Sequence, residues 1–154
     1  MTIKIYYMIP MHNAEDTIVE ALKSIRFDAG YDVTAVVVDD GSTDQSSEKV
    51  QSLITSEWPL KIRLIKQRQM GVCEARNTAL AEIPADVWVF LLDADDADFP
   101  DRQAVMIDYI QENQLHVAGS GVSLFGDETG RWSYPAHDDA IKLAINLGVA
   151  PFAH

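Results

Sequence analysis

One cysteine, Cys73, stands in a chain of 154 residues. A single thiol excludes an internal disulfide and a cysteine-rich zinc site. Basic residues are also few: 12 Lys and Arg against 24 Asp and Glu leave a formal net charge of −12 and a pI near 4.5. Nucleic acid and anionic membrane surfaces select basic patches, so neither is an expected partner. A nucleotide held through a cation remains compatible with that charge, because a bound metal inverts the local electrostatics. No apolar run approaches the ~20 residues of a membrane span. The N-terminal MTIKIYYMIPMHN lacks the apolar core and cleavage site of a signal peptide. Internal repeats and low-complexity tracts are missing too. What remains, 47% hydrophobic and 23% charged residues, is the composition of an ordinary globular domain. The expected setting is reducing and cytoplasmic, free or peripheral at the cytoplasmic face of the membrane.

What the chain does have is an alternation of short apolar runs with amphipathic ones. Ile3–Ile9 (IKIYYMI) reads as a strand, and Asn13 as the cap of a helix carrying Ile18, Ala21, Leu22 and Ile25. Val33–Val38 is a continuous β-branched run, the pattern of a strand covered on both faces. Ser42 with Gln45 fits a capping box, ahead of a helix presenting Val50, Leu53 and Ile54. Leu60–Ile65 alternates as a third strand. Gly71 to Glu82 reads as a helix with Val72, Ala75 and Ala79 on one face, and Asp86–Leu92 as a fourth buried strand. Pro100 suits the first turn of a helix bearing Val105, Met106, Tyr109 and Ile110. Strands alternating with helices of this length predict an α/β, Rossmann-like, mostly parallel sheet with helices on both faces. After Leu115 the pattern loosens: HVAGSGVSLF and GRWSYP read as partner strands, and His137–Leu147 as one more helix. The expected organisation is one subdomain over 1–115 and the beginning of a second, apparently truncated, over 116–154.

In open α/β sheets ligands sit outside the carboxyl ends of the strands. Three polar clusters follow such ends. Leu92-Asp93-Ala94-Asp95-Asp96 puts three carboxylates within four residues. Two unit charges ~4 Å apart repel by about 4 kcal/mol at an effective dielectric of 20, so a counter-ion is expected. Hard oxygens suit Mg²⁺ or Mn²⁺. The plainer account is an acidic, solubilising loop, with Asp98 or Asp101 capping the next helix. Asp39-Asp40-Gly41-Ser42 ends the second strand, where a carboxylate can accept from a ribose hydroxyl or a base imide. A turn and helix cap explain Gly41 and Ser42 but not two adjacent acids. The first strand is followed by PMHNAED, without the glycines of a GxGxxG loop, which argues against a nicotinamide dinucleotide. Arg76, one turn into its helix, can contact a pyrophosphate or hold an aspartate; a solvated surface arginine is the alternative. His12 can stack on a base or simply be solvated. Cys73 is expected to pack as a small apolar residue.

Taken in order, IPMHNAEDTIVEALKSI, VVVDDGSTDQS, GVCEARNTAL and VFLLDADD resemble the family 2 glycosyltransferases, over residues 9 to 96. The resemblance implies a GT-A fold that binds a nucleotide sugar and transfers the sugar, with inversion, to the hydroxyl of a saccharide or lipid-linked acceptor. It implies that Pro10, Met11, His12, Asn13 and Glu15 border the nucleoside pocket, with His12 where the family usually has Tyr. Asp40 would accept the imide hydrogen of uracil or its equivalent, beside Asp39 and Gly41. Arg76 and Asn77 would lie under the pyrophosphate, and Asp93 and Ala94 by the ribose and donor sugar. Asp95, with Asp96, would hold Mn²⁺ or Mg²⁺ between the phosphates. A UDP-sugar is the family-weighted donor. The resemblance places the general base in an acceptor half beyond His154, so this chain is expected to bind donor with little or no transfer. Apolar surface near Val149–Phe152 would then favour self-association.

Two other classes compete. A non-catalytic module that senses or sequesters nucleotide sugars would also lack the base. A phosphoacceptor receiver domain shares clustered aspartates on an α/β sheet, but needs acids after the first strand, where Met8-Ile9-Pro10 offers none.

Overall fold

The computed structural model describes residues 2–132 except 27, 57, 127 and 128. The chain divides into two compact units after Arg102. In the first, the order is β1 (Ile3–Met11), α1 (Ile18–Ser24), β2 (Tyr31–Asp40), α2 (Ser46–Thr55), β3 (Lys61–Gln67), α3 (Val72–Glu82) and β4 (Trp88–Leu91). The strands form one parallel sheet in the order β3-β2-β1-β4. Ile5 pairs with Val33 on one side and with Trp88 on the other, so β1 is central. This is the expected α/β architecture.

Strand alternation sorts the two layers of helices. Met8, Val36 and Val38 share a face and pack against Ala75 and Ala79 of α3. Asp39, one residue on from Val38, points the other way and meets Ser47 of α2. That second face carries the fully buried Ile5, Tyr7, Ile9 and Val37. β2 is buried from Val33 to Asp40, the burial expected of its β-branched run, with Thr34 the one polar residue before the acids at its end.

Strands β1 and β3 run past their expected ends: β1 continues through Pro10 to the buried Met11, opposite Asp39, and β3 to Gln67, opposite Asp40. Helix starts differ more. α2 begins at Ser46, not at a Ser42 capping box, because Ser42 Oγ already accepts the Asn13 N–H and Asp44 Oδ1 accepts the Ser46 N–H, each at 3.0 Å. Asn13 likewise caps no helix: α1 starts at Ile18, and Asn13 sits at φ 50° in the preceding loop. Cys73 is exposed on the first turn of α3 rather than packed, since Ala75 and Ala79 take the buried positions.

Helix α4 (Arg102–Asn113) starts at the last residue of the first unit, two residues after Pro100. Its buried line is Gln103, Ile107 and Ile110, while Val105 and Tyr109 are exposed. Of the apolar residues expected to line it, Ile110 is buried, and Ile107 rather than Val105 or Tyr109 joins it in the core. β5 (Val122–Leu124) and β6 (Gly130–Trp132) pair antiparallel, as their spacing predicts. The helix expected at His137–Leu147 and the apolar surface at Val149–Phe152 lie outside the described residues. No helix among the described residues is long and apolar enough to cross a membrane.

Candidate functional site

The strand order reverses between β1 and β4: β2 and β3 build to one side of β1, and β4 to the other. A crevice outside the carboxyl ends of β1 and β4 is therefore the topological switch point, where such sheets bind ligands. The ends of β1 and β2, the loops that follow β1, β2 and β4, and the first turns of α3 carry the residues singled out above.

The two acids ending β2 have separate tasks. Asp39 is 4% exposed and points toward α2; its Oδ1 accepts the Ser42 N–H at 2.8 Å and its Oδ2 the Ser47 hydroxyl. Asp40, also 4% exposed, faces the loop between β3 and α3. Its Oδ1 accepts from Gln67 Nε2 at 2.7 Å and Met70 N–H at 2.8 Å, and its Oδ2 from Gly71 N–H at 2.7 Å. Burial pushes both carboxyls up, but these donors outweigh it, and the net direction is below the usual carboxylate range in each. Lys66 adds to the effect at Asp39, and His12 at Asp40. Both acids are held ionised. Gly41 follows at φ 73°, with the Gln69 backbone so close that a Cβ would lie 2.7 Å from its nitrogen.

The loop after β1 is stitched to the loop after β2. His12 is exposed, and its Nδ1 donates to the Asp40 carbonyl at 2.8 Å. Asn13 Oδ1 accepts the Thr43 N–H at 2.8 Å, and Ala14 N–H donates to Ser46 Oγ at 2.8 Å. Glu15 Oε2 accepts the Gln45 N–H at 3.0 Å, while its own N–H donates to Asp44 Oδ2 at 3.0 Å. Pro10 is half-buried and Met11 is 1% exposed. Of this group, His12 offers an exposed ring beside the Asp40 carbonyl; Asn13 and Glu15 hold the two loops together.

At the β4 end, Arg76 Nη2 pairs with Asp93 Oδ1 at 2.8 Å. The two side chains are 29% and 22% exposed, so the pair is partly shielded. Arg76 Nε is buried without a hydrogen-bond partner among the described residues. Ala94 is buried, whereas Asp95, Asp96 and Asn77 are exposed. The Asp96 N–H donates to the Asp93 carbonyl at 3.1 Å, which bends the loop. No three His, Cys, Asp or Glu side chains gather into a metal-ligand group among the described residues. Two exposed carboxylates do fit a hard divalent ion that takes its other ligands from phosphate and water.

The sequence pattern does not single out Gln67 or Thr78, and it offers Asp98 only as a helix cap. Gln67 and Thr78 support Asp40, with Thr78 Oγ1 donating to Gln67 Oε1 at 2.7 Å. Asp98 is buried; it takes the Tyr7 hydroxyl and, at 3.0 Å, the Arg102 guanidinium, which also reaches the Leu91 carbonyl at 3.2 Å. That arrangement anchors both ends of the loop bearing Asp93, Asp95 and Asp96. The signal for Asp98 was an acid four residues before an arginine; for Gln67 there was none beyond its place at a strand end.

The sequence profile described as Glycosyl transferase family 2 matches residues 7–148. The chain belongs to that family. Glycosyltransferase GlyA of Streptococcus pneumoniae serotype 4 is 30% identical over 97% of this chain, which spans 21% of that protein. Staphylococcus aureus TarS 1–349 in complex with UDP-GlcNAc matches at a TM-score of 0.61 and 26% identity, over 74% of this chain and 32% of that one. The mannosyltransferase PcManGT of Pyrobaculum calidifontis, in complex with GDP-Man and Mn²⁺, shares the fold at a TM-score of 0.64 and 24% identity, over 71% of this chain and 33% of that one. The family 2 chain thus has the GT-A fold, and it spans between a fifth and a third of the length of these relatives.

Proposed function

We propose that this family 2 chain is the donor-binding portion, over residues 1–115, of a metal-dependent inverting glycosyltransferase whose donor is a UDP-sugar. The reaction of the whole protein would be transfer of the sugar to a hydroxyl of a saccharide or lipid-linked acceptor. The observation that carries the reading is the Arg76–Asp93 pair, 2.8 Å apart and half-shielded beside the switch point of the sheet. A guanidinium that fixes a carboxylate here serves a polyphosphate ligand better than it serves a surface.

The other residues supply the remaining contacts. Asp40 keeps one acceptor position for a base imide, and the exposed His12 ring stands beside it to stack. Arg76 holds Asp93 where it can accept from ribose or sugar hydroxyls. Asp95 and Asp96 would hold Mn²⁺ or Mg²⁺. Such an ion offsets the charge that develops on a departing diphosphate.

Calorimetric titration with UDP, with and without Mn²⁺, tests the reading. Metal-dependent binding is expected for the chain and not for its Asp93→Ala/Asp95→Ala variant. Equal affinity in both, or no binding by the unmodified chain, would refute it.

A further inference from the structure

Asp40 is already well supplied with hydrogen-bond donors before any ligand arrives. A carboxylate has about four lone-pair positions, two on each oxygen. Both positions of Oδ1 are filled, by Gln67 Nε2 at 2.7 Å and Met70 N–H at 2.8 Å. Oδ2 accepts only from Gly71 N–H, at 2.7 Å. One position stays open, on Oδ2. Gln67 is not free to turn away, because Thr78 Oγ1 donates to its Oε1 at 2.7 Å and so directs the amide NH₂ at Asp40.

We infer that Gln67, oriented by Thr78, is a base-selecting residue that leaves Asp40 able to accept one ring N–H but not two. The inference rests on the proposed role of Asp40 as acceptor for the nucleobase. Uracil presents a single donor, N3–H, between two carbonyls, and the open Oδ2 position satisfies it. Guanine presents N1–H and its exocyclic amine side by side, a pair that engages a carboxylate through both oxygens. With Oδ1 filled, the second guanine donor is buried unpaired, or it displaces Gln67 and strands the amide and the Thr78 hydroxyl instead. Leaving a buried donor unmet costs more than one good hydrogen bond returns, so the arrangement rejects guanine rather than merely preferring uracil.

The test is the ratio of UDP to GDP dissociation constants, with Mn²⁺ present, for the full chain and for Gln67→Leu. The unmodified chain is expected to favour UDP. Gln67→Leu opens an acceptor position on Oδ1, and the ratio is expected to move about tenfold toward GDP, the worth of one charge-assisted hydrogen bond. The gain should come from tighter GDP, not from lost UDP. Thr78→Val removes only the orienting hydroxyl and should move the ratio the same way by a smaller factor. If circular dichroism shows that Gln67→Leu does not fold, Thr78→Val decides. A residue that merely supports the loop would weaken both nucleotides equally, so an unchanged ratio overturns the inference, as does an unmodified chain that binds GDP as well as UDP. Asp40→Asn separates the two levels. If it binds UDP like the unmodified chain, the assignment of Asp40 to the base fails and the inference falls with it. If it loses UDP while the Gln67→Leu ratio stays fixed, only the inference falls.

Discussion

Gly41 shows how one residue sets the spacing of the candidate site. Its φ of 73° lies in the left-handed region, and a Cβ there would sit 2.7 Å from the Gln69 nitrogen, a backbone atom that cannot swing aside. Gly41→Ala is expected to cost about 2–3 kcal/mol from strained dihedrals and the forced shift. Urea denaturation followed by circular dichroism would measure it. The DDGS string was legible as a turn with two acids, and the structure supplies the reason for two: Asp39 fastens its own loop, and Asp40 fastens the next one along. Their partners were not legible. Gln67 ends KIRLIKQ, where alternation assigns polar residues to solvent, and only the register of β3 against β2 brings it opposite Asp40. Asn13 was misread for a related reason: an Asx side chain caps whichever N–H lies nearest, and here that is Thr43 across the loop.

The element that matters most to the site is α3. Two alanines four residues apart, Ala75 and Ala79, let it lie close against Met8, Val36 and Val38. That close seat brings Arg76, on the adjacent position, within reach of Asp93 at the end of the sheet. Ala79→Leu would overpack the interface and cost about 1–3 kcal/mol. It should also push Arg76 off Asp93, so nucleotide affinity is expected to fall together with the midpoint of thermal unfolding. Both are readable on the same preparation. Element identity followed closely from hydrophobic periodicity, whereas element boundaries did not. Helix α2 starts where Asp44 provides an acceptor, and α4 buries Ile107 and Ile110 while leaving Val105 and Tyr109 exposed, a choice that only tertiary packing makes.

At the scale of the whole molecule the acidic composition has a cost that appears only at low pH. Asp39, Asp40 and Asp44 are each pushed up by burial and pulled further down by their donors, so their folded values lie below the ordinary value of 3.8. A group whose folded value is depressed contributes stability that is complete above its unfolded value and is lost as pH falls through the folded one. Stability is therefore expected to hold from pH 7 to about 5 and to decline below about 4. Asp44→Asn should lower the plateau and flatten the decline, measured as the urea midpoint against pH.

The strand order also fixes the sequence in which the chain can be assembled as it is made. Because β4 lies beside β1 and not beside β3, β1, made before the other three strands of the sheet, waits longest for its second neighbour. A growing chain can complete β1, β2 and β3, seat α3, and close the Gln67–Asp40–Gly71 loop before residue 88 exists. Arg76 has no carboxylate to meet until Asp93 has followed. A chain stalled or clipped between these points would keep the corner proposed to read the base and lack the one proposed to grip the diphosphate.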